Sequence, residues 1–304
     1  MSVLRASREC DNMKTKSYNL VNTVEQEEMD AGLLAEMYEV EAKDGKSVTL
    51  PSVFSSEIRE DLIRRSVLAS RANRRQAYGH REHDGKRAPQ AGMKHSVEWW
   101  GKGRGVSRIM RKAGQRTAAQ NPHTRGGRRA HGPMVAKDWS QKINSKENTN
   151  ARNSAIAATA NSEVVAARGH QFDSEVRFPI VIDGYVESRE EGDEKYSIES
   201  IPLQYSTRKF VAMMEGLGLG EDLDRARTGR NIRAGKGTMR GRKYRTPKSI
   251  LLVVAQSDGL AKAARNVPGV DVVAAKDLSA EDLAPGGDAG RLTVWTKDAI
   301  GALE

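Results

Sequence analysis

The sequence predicts an α/β fold: a three-layer domain with a mainly parallel central sheet, and a long, basic, extended arm inserted near its N-terminal side. Three observations carry that expectation. Ile250-Leu-Leu-Val-Val254 is a continuous apolar run of strand length, the pattern of a strand covered on both faces. Strand-like and helix-like segments alternate through the C-terminal half, as they do where helices cross between parallel strands. Between Arg71 and Lys137, seventeen Lys or Arg face only three acids, Glu82, Asp84 and Glu98, a net charge of +14 on 67 residues. The whole 304-residue chain carries +10, so the remainder sums to −4 and the basic character belongs mainly to one segment.

Residues 1–36 hold four Lys or Arg against seven acids with weak apolar periodicity, and are expected to form a flexible extension ahead of a single domain over 37–304. Tyr38-Glu-Val40 and Ser47-Val-Thr-Leu50 flank Asp44-Gly45 with alternating apolar residues, which predicts a hairpin turning at that dipeptide. From Ser55 to Arg71, Ile58, Leu62, Ile63, Val67 and Leu68 fall on one side of a helix, and Arg59, Arg64, Arg65 and Arg71 on the other. Beyond the arm, Ser145 is placed to cap a helix through Ala151, Ala155, Ile156 and Ala158 to about Arg168. Phe178–Ile182 reads as a buried strand whose start Pro179 confines to an edge or terminus. The acids between Glu187 and Glu194 read as a solvated loop. Ser206 or Thr207 opens a helix carrying Phe210, Val211, Met213 and Met214 and ending at Gly216-Leu-Gly218, its methionines core residues. Asp258–Val267 is a helix, Val270–Ala274 and Leu292–Trp295 are strands, and a last helix starts at Asp298.

The arm, taken over 77–137, has ten glycines between Gly79 and Gly132 and few apolar side chains. Such a stretch does not offset its own ordering entropy, so a partner must order it, and its charge density selects a polyanion. A second basic loop, 225–248, holds ten Lys or Arg and no acid, and runs straight into the buried strand at Ile250. Arg71, at the end of the first helix, leads into the arm and is a candidate contact. Trp99, Trp100 and His95 suit stacking on unpaired bases. Duplex DNA readers place a compact helix or ribbon in a groove, and nothing in the arm has that pattern. As a hairpin, the 67 residues from Arg71 to Lys137 reach at most about 100 Å, which suits threading through a large folded RNA.

Several chemistries are excluded. Gly235-Lys236-Gly237-Thr238 lacks the phosphate-loop register, because the glycine required five positions before Gly235 is Arg230. Gly101-Lys-Gly103-Arg-Gly105 follows no predicted strand, which a dinucleotide fingerprint needs. His80 and His83 have ligand-like spacing, but no carboxylate or thiolate cluster accompanies them or His123 and His131, so no metal is expected. No cofactor site and no nucleophile or acid–base set emerges. One cysteine, Cys10, precludes an intrachain disulfide framework. A mean hydropathy of −0.65, no apolar run near the roughly 20 residues that span a bilayer, and no apolar leader at the N-terminus point to the cytosol.

The motifs then fall into a known order. Leu50-Pro-Ser-Val-Phe54, Ser70-Arg-Ala-Asn-Arg-Arg-Gln-Ala-Tyr-Gly79, Trp100-Gly-Lys-Gly-Arg104-Gly and Gly126-Gly-Arg-Arg-Ala-His131-Gly-Pro133 occupy the N-terminal half. Asn153-Ser-Ala-Ile-Ala-Ala158, Arg168-Gly-His170, Arg240-Gly-Arg-Lys-Tyr-Arg245, Asp282-Leu-Ala-Pro-Gly-Gly287 and Arg291-Leu-Thr-Val-Trp295 follow. In that order they resemble the archaeal and eukaryotic branch of the large-subunit ribosomal protein L-four family, from about Tyr38 to the C-terminus. Residues 1–36 lie ahead of the resemblance, either an extension or a misplaced start with Met29 and Met37 as candidate initiators.

The resemblance implies a non-enzymatic, early-binding and assembly-promoting rRNA ligand, seated on the large subunit among neighbouring ribosomal proteins. Its arm would reach the polypeptide exit tunnel. By position, Arg74, Arg75, Lys102, Arg104, Arg108 and Arg111 would grip rRNA along the arm. Arg111 to Arg128 would approach the tunnel wall and the nascent polypeptide. Lys112, Arg116, Arg125, Arg128 and Arg129 complete the arm's RNA-binding set, and Arg240, Arg242, Lys243 and Arg245 form a second contact. Neither membrane nor DNA is an expected partner. Two other classes stay open: an extraribosomal regulator that binds its own messenger RNA, and an RNA-modifying enzyme with a Rossmann-like body.

Overall fold

The computed structural model describes residues 14–29, 33–79, 96–125, 127, 130–131, 133–189, 192–200, 206–257 and 259–303. It begins with β1 (Lys14–Met29) and β2 (Leu33–Thr49), followed by α1 (Glu60–Asn73). The basic segment carries β3 (Val97–Trp99) and β4 (Met110–Lys112). Then come α2 (Ser145–Thr159), α3 (Ser162–Ala167), β5 (Ile180–Arg189), β6 (Gly192–Ser197), α4 (Ser206–Gly216) and α5 (Gly220–Thr228). Short β7 (Asn231–Ile232) and β8 (Tyr244–Arg245) lead into β9 (Leu251–Val254), α6 (Gly259–Ala264), β10 (Asp271–Ala274), α7 (Ala280–Leu283), β11 (Thr293–Thr296) and α8 (Lys297–Gly301). The chain forms two compact units, Met1–Ser70 with Ile143–Glu304, and Arg71–Lys142.

The larger unit is built on a mixed sheet in the order β10-β9-β11-β5-β1-β2. Four of its pairings, β10 with β9, β9 with β11, β11 with β5 and β5 with β1, are parallel. The antiparallel pairs are β1 with β2 and β5 with β6. Alternation along the strands sorts the core into two layers. Ile180 and Ile182 of β5, Leu252 and Val254 of β9 and Val294 of β11 pack with Phe210, Met213, Met214, Leu223 and Leu260 from α4, α5 and α6. Val181, Leu251, Val253 and Trp295 pack with Ile63, Val67, Ile156, Leu283 and Ile300 from α1, α2, α7 and α8. The predicted α/β class and mainly parallel sheet are therefore present, with helices on both faces.

Arg291 ties three strand entrances together. It is 1% exposed and donates through Nε to the Ser249 carbonyl at 3.0 Å and through Nη1 to the Asp282 carbonyl at 2.9 Å. Its Nη2 reaches the Asp271 carboxylate at 2.6 Å. Burial lowers the Arg291 pKa against the opposing pull of Asp271. Burial also pushes Asp271 up, but Arg291 and Lys248 outweigh it and hold this carboxyl below its ordinary value. At the opposite strand ends, Glu199 accepts from the Ala255 and Gln256 amides and the Thr296 hydroxyl, at 2.7, 3.0 and 2.7 Å. The connections leaving β9 and β11 there run to α6 and α8, whose buried residues belong to opposite layers. That is the switch point at which an open α/β sheet takes a ligand, and here Glu199 fills it.

Several expectations change. Lys14–Met29, within the stretch read as an extension, is a strand pairing with both β2 and β5. Asp44-Gly45 is not a hairpin turn: β2 runs through it, with an extra residue bulged opposite Ser17. A Cβ on Gly45 would lie 2.7 Å from Ser17 Oγ and 2.9 Å from Ser17 O, so glycine is needed for that close approach. Leu68 is 57% exposed, whereas Ile63 and Val67 are fully buried. It sits about 100° round the helix from Val67 and leaves the buried stripe. The single helix expected from Ser145 to Arg168 is two, because Asn161 caps α3 by accepting the Glu163 amide at 2.9 Å; α2 itself has Asn144 as N-cap. The acidic run from Glu187 to Glu194 is the meeting of β5 and β6, not a loop; 190–191 lie outside the described residues. α5, with only Leu223 and Ala226 as buried apolar residues, the four-residue α7 and the two- and three-residue strands β3, β4, β7 and β8 are too short to leave an apolar periodicity in the sequence.

Candidate nucleic-acid interface

Within the Arg71–Lys142 unit, a close backbone approach brings the ends of the glycine-rich segment together. A Cβ at Gly79 would stand 2.7 Å from the Val135 amide nitrogen and 3.0 Å from the Pro133 carbonyl oxygen, so only glycine permits this contact. Further along, β3 and β4 pair antiparallel from Val97↔Lys112 to Trp99↔Met110. Glu98 secures this hairpin: its carboxylate accepts the Trp100 indole N–H at 3.1 Å and the Gly114 amide at 3.2 Å. Those two bonds, with the Arg104 charge behind them, hold its carboxyl below the ordinary range. Arg104 and Arg111 lie over the Trp100 ring at 4.5 and 5.3 Å.

The candidate residues divide by their surroundings. Arg71, Arg74, Arg75, Lys102, Arg104, Arg108, Arg116 and Arg125 are exposed, and so is Trp99, at 67%. Lys112 and Trp100 are half-buried. Arg111 is buried and structural in its contacts, donating to the Arg116 and Ser107 carbonyls while covering Trp100. Arg128, Arg129, His80, His83 and His95 lie outside the described residues. Gly101-Lys-Gly103-Arg-Gly105 does follow a strand, β3, contrary to the sequence reading. It leads into the antiparallel return strand β4 rather than a helix, so the dinucleotide geometry still fails. Among the described residues no group of three or more His, Cys, Asp or Glu is arranged to hold a metal, and no helix is long and apolar enough to cross a membrane.

The second basic segment is a small structured excursion of the larger unit. β7 and β8 pair antiparallel, and Arg233 shapes the turn from inside. Its amide donates to the Lys243 carbonyl at 2.8 Å and its Nε to the Arg242 carbonyl at 3.1 Å. Arg230 and Lys243 lie over Tyr244 at 4.5 and 5.4 Å. Arg240, Arg242, Lys243 and Arg245 are exposed, and no carboxylate among the described residues pairs with them. Four uncompensated cations on about six residues make a strong local anion-binding potential.

Buried Asp222 fixes both ends of that segment. It accepts from Arg225 Nε at 3.0 Å, Ser249 Oγ at 2.5 Å and the Gln171 amide at 3.1 Å, and contacts His170 Nδ1 at 3.1 Å. Arg225 in turn donates to the Lys248 carbonyl at 2.9 Å. Burial pushes the Asp222 carboxyl up, but its bonds with His170, Arg225 and Ser249 outweigh that and hold it far below the carboxylate range. A depressed folded pKa contributes stability above the unfolded value near ~3.9, lost as pH falls through and below it. Asp222→Asn is expected to cost about 1–3 kcal/mol at pH 7 and to flatten the loss of stability below about pH 5. Urea unfolding across pH 3–7 measures both; coincident wild-type and variant curves would refute the anchoring role.

Sequence reasoning missed one aromatic cluster. Tyr78 and Trp139 bracket the basic segment and meet with ring centroids 4.4 Å apart and planes at 32°, with Lys137 and Arg75 over Trp139 at 5.1 and 5.9 Å. Aromatics make up only 5% of the chain, so one at each end of the most basic stretch was the available signal.

Comparison with known proteins agrees over most of the chain. The profile described as the ribosomal protein L4/L1 family matches residues 48–304. The large ribosomal subunit protein uL4 of Methanothrix thermoacetophila is 45% identical over 270 residues, 89% of this chain and 98% of that one. Those of Halobacterium salinarum and Methanopyrus kandleri are each 42% identical, covering 86% and 89% of this chain and 95% and 97% of theirs.

Proposed function

The chain belongs to the ribosomal protein L4/L1 family, and from that membership we propose that it is a structural constituent of the large ribosomal subunit in the cytoplasm. It acts by binding and not by catalysis. Its principal ligand is large-subunit rRNA, which it joins early in assembly, beside neighbouring ribosomal proteins. The segment 77–137 is an extended arm that penetrates the folded rRNA, and its distal part, about Arg111 to Arg128, lies near the nascent polypeptide in the exit tunnel.

The observation that carries this reading is the pairing of two acid-poor segments, 71–137 and 225–248, with exposed cations in both. Phosphate neutralisation by such side chains releases counterions and gives strong, salt-dependent affinity. Glycines allow close backbone approach to a crowded RNA surface. At the sheet's switch point the Ala255 and Gln256 amides and the Thr296 hydroxyl are engaged by the Glu199 carboxylate, an internal contact that supports a structural use of these strand ends.

The test is to wash ribosomes carrying the tagged chain in high salt and sediment the subunits. The chain is expected in the large-subunit fraction. A photo-crosslinker at position 116 is expected to capture radiolabelled nascent chains in the same particles. Release of the chain by the wash counts against stable incorporation; retention without nascent-chain capture counts against the tunnel assignment alone.

A further inference from the structure

We propose that the cavity beside Tyr78 and Trp139 takes one unpaired nucleobase of the bound RNA, an inference that rests on the RNA-binding reading above. The cavity measures about 590 Å³, within the ~300–1,000 Å³ of small-ligand sites. It is lined by Tyr78, His131, Pro133, Met134, Lys137 and Trp139. Tyr78 is 53% exposed despite its contact with Trp139, so a wide aromatic surface remains uncovered. A flat apolar ring system with polar edges matches such a surface, and stacking tolerates any base because each has a π face.

Charge distinguishes a nucleotide from an apolar peptide side chain as the occupant. Lys137 and Arg75 sit over Trp139, placing two cations beside the aromatic pair, where the phosphates flanking an extruded base can be neutralised. The adjacent acid, Asp138, is engaged with the amide and hydroxyl of Ser140 at 2.9 and 2.5 Å.

The experiment uses the full chain and a single-stranded RNA octamer carrying one internal 2-aminopurine and a terminal dye. Dye anisotropy reads binding, and 2-aminopurine emission at saturation reads stacking. Quenching in the wild-type complex is expected to be relieved in both Tyr78→Leu and Trp139→Leu and preserved in Trp139→Phe. Affinity should fall about tenfold or more in the two leucine variants, with an unchanged salt slope because stacking releases no counterions. Tyr78 is half exposed, so its variant tests the site even where the Trp139 variant folds poorly. Equal emission in the wild-type and leucine complexes, with salt-dependent binding intact, overturns the base pocket and leaves RNA binding standing. Absence of salt-dependent binding by the wild type overturns both.

Discussion

Arg291→Ala is expected to remove about 2–4 kcal/mol from the stability of the larger unit, chiefly the cost of leaving buried backbone carbonyls without their donor, with a smaller share from the ion pair to half-exposed Asp271. Arg291 is not a solvated cation that can be trimmed. Its guanidinium satisfies backbone carbonyls at Ser249, Ile250 and Asp282 and pairs with Asp271, joining the entrances of β9 and β10 to α7. Alanine would orphan those acceptors and leave Asp271 with Lys248 alone, at 2.7 Å. A domain margin of about 5–15 kcal/mol leaves little after such a loss. Arg291→Lys restores one charge but not the planar fork, so it should recover only part of the deficit. Urea unfolding followed by far-UV circular dichroism measures the difference. A loss below about 1 kcal/mol for the alanine variant would refute the tie.

Arg291 also shows what a sequence reading does and does not resolve. Its motif, Arg291-Leu-Thr-Val-Trp295, was recognisable, and so were Arg168-Gly-His170 and Asp282–Gly287, but their roles were hidden. In the fold Arg168 donates to the Pro285 and Ala289 carbonyls, His170 meets Asp222, and Asp282 caps α7 with Ser279. These are polar residues at structural joints, and nothing in a one-dimensional pattern separates a buried arginine from a phosphate-binding one. Arg111 is the same case in the basic segment: it supports Trp100 and the Arg116 turn from a buried position. The strands β5, β9 and β11 were legible because being covered on both faces demands an uninterrupted apolar run. β1 was not, because a strand near the sheet's margin carries polar residues along its length. The hairpin at Asp44-Gly45 misled for a related reason: glycine serves a bulge as readily as a turn.

Replacing Arg240, Arg242, Lys243 and Arg245 together with Ala is expected to lower rRNA affinity about 10²–10³-fold near 0.1 M salt. The slope of log affinity against log salt should flatten by about 3, at 0.7–0.9 per lost phosphate contact. The fold should survive, because all four side chains are exposed and the turn is held by Arg233 and the β7–β8 pairing. This separates the variant from Arg291→Ala, which attacks a buried joint, and from the Tyr78 and Trp139 variants, which should weaken binding at constant slope. Filter binding of a large-subunit rRNA transcript from 50 to 300 mM salt measures both quantities, with circular dichroism confirming the fold. A slope that persists with all four cations removed would show that phosphate neutralisation resides in the Arg71–Lys142 unit. The second basic segment would then be a solvated excursion of the body, held in shape by Asp222 for another reason.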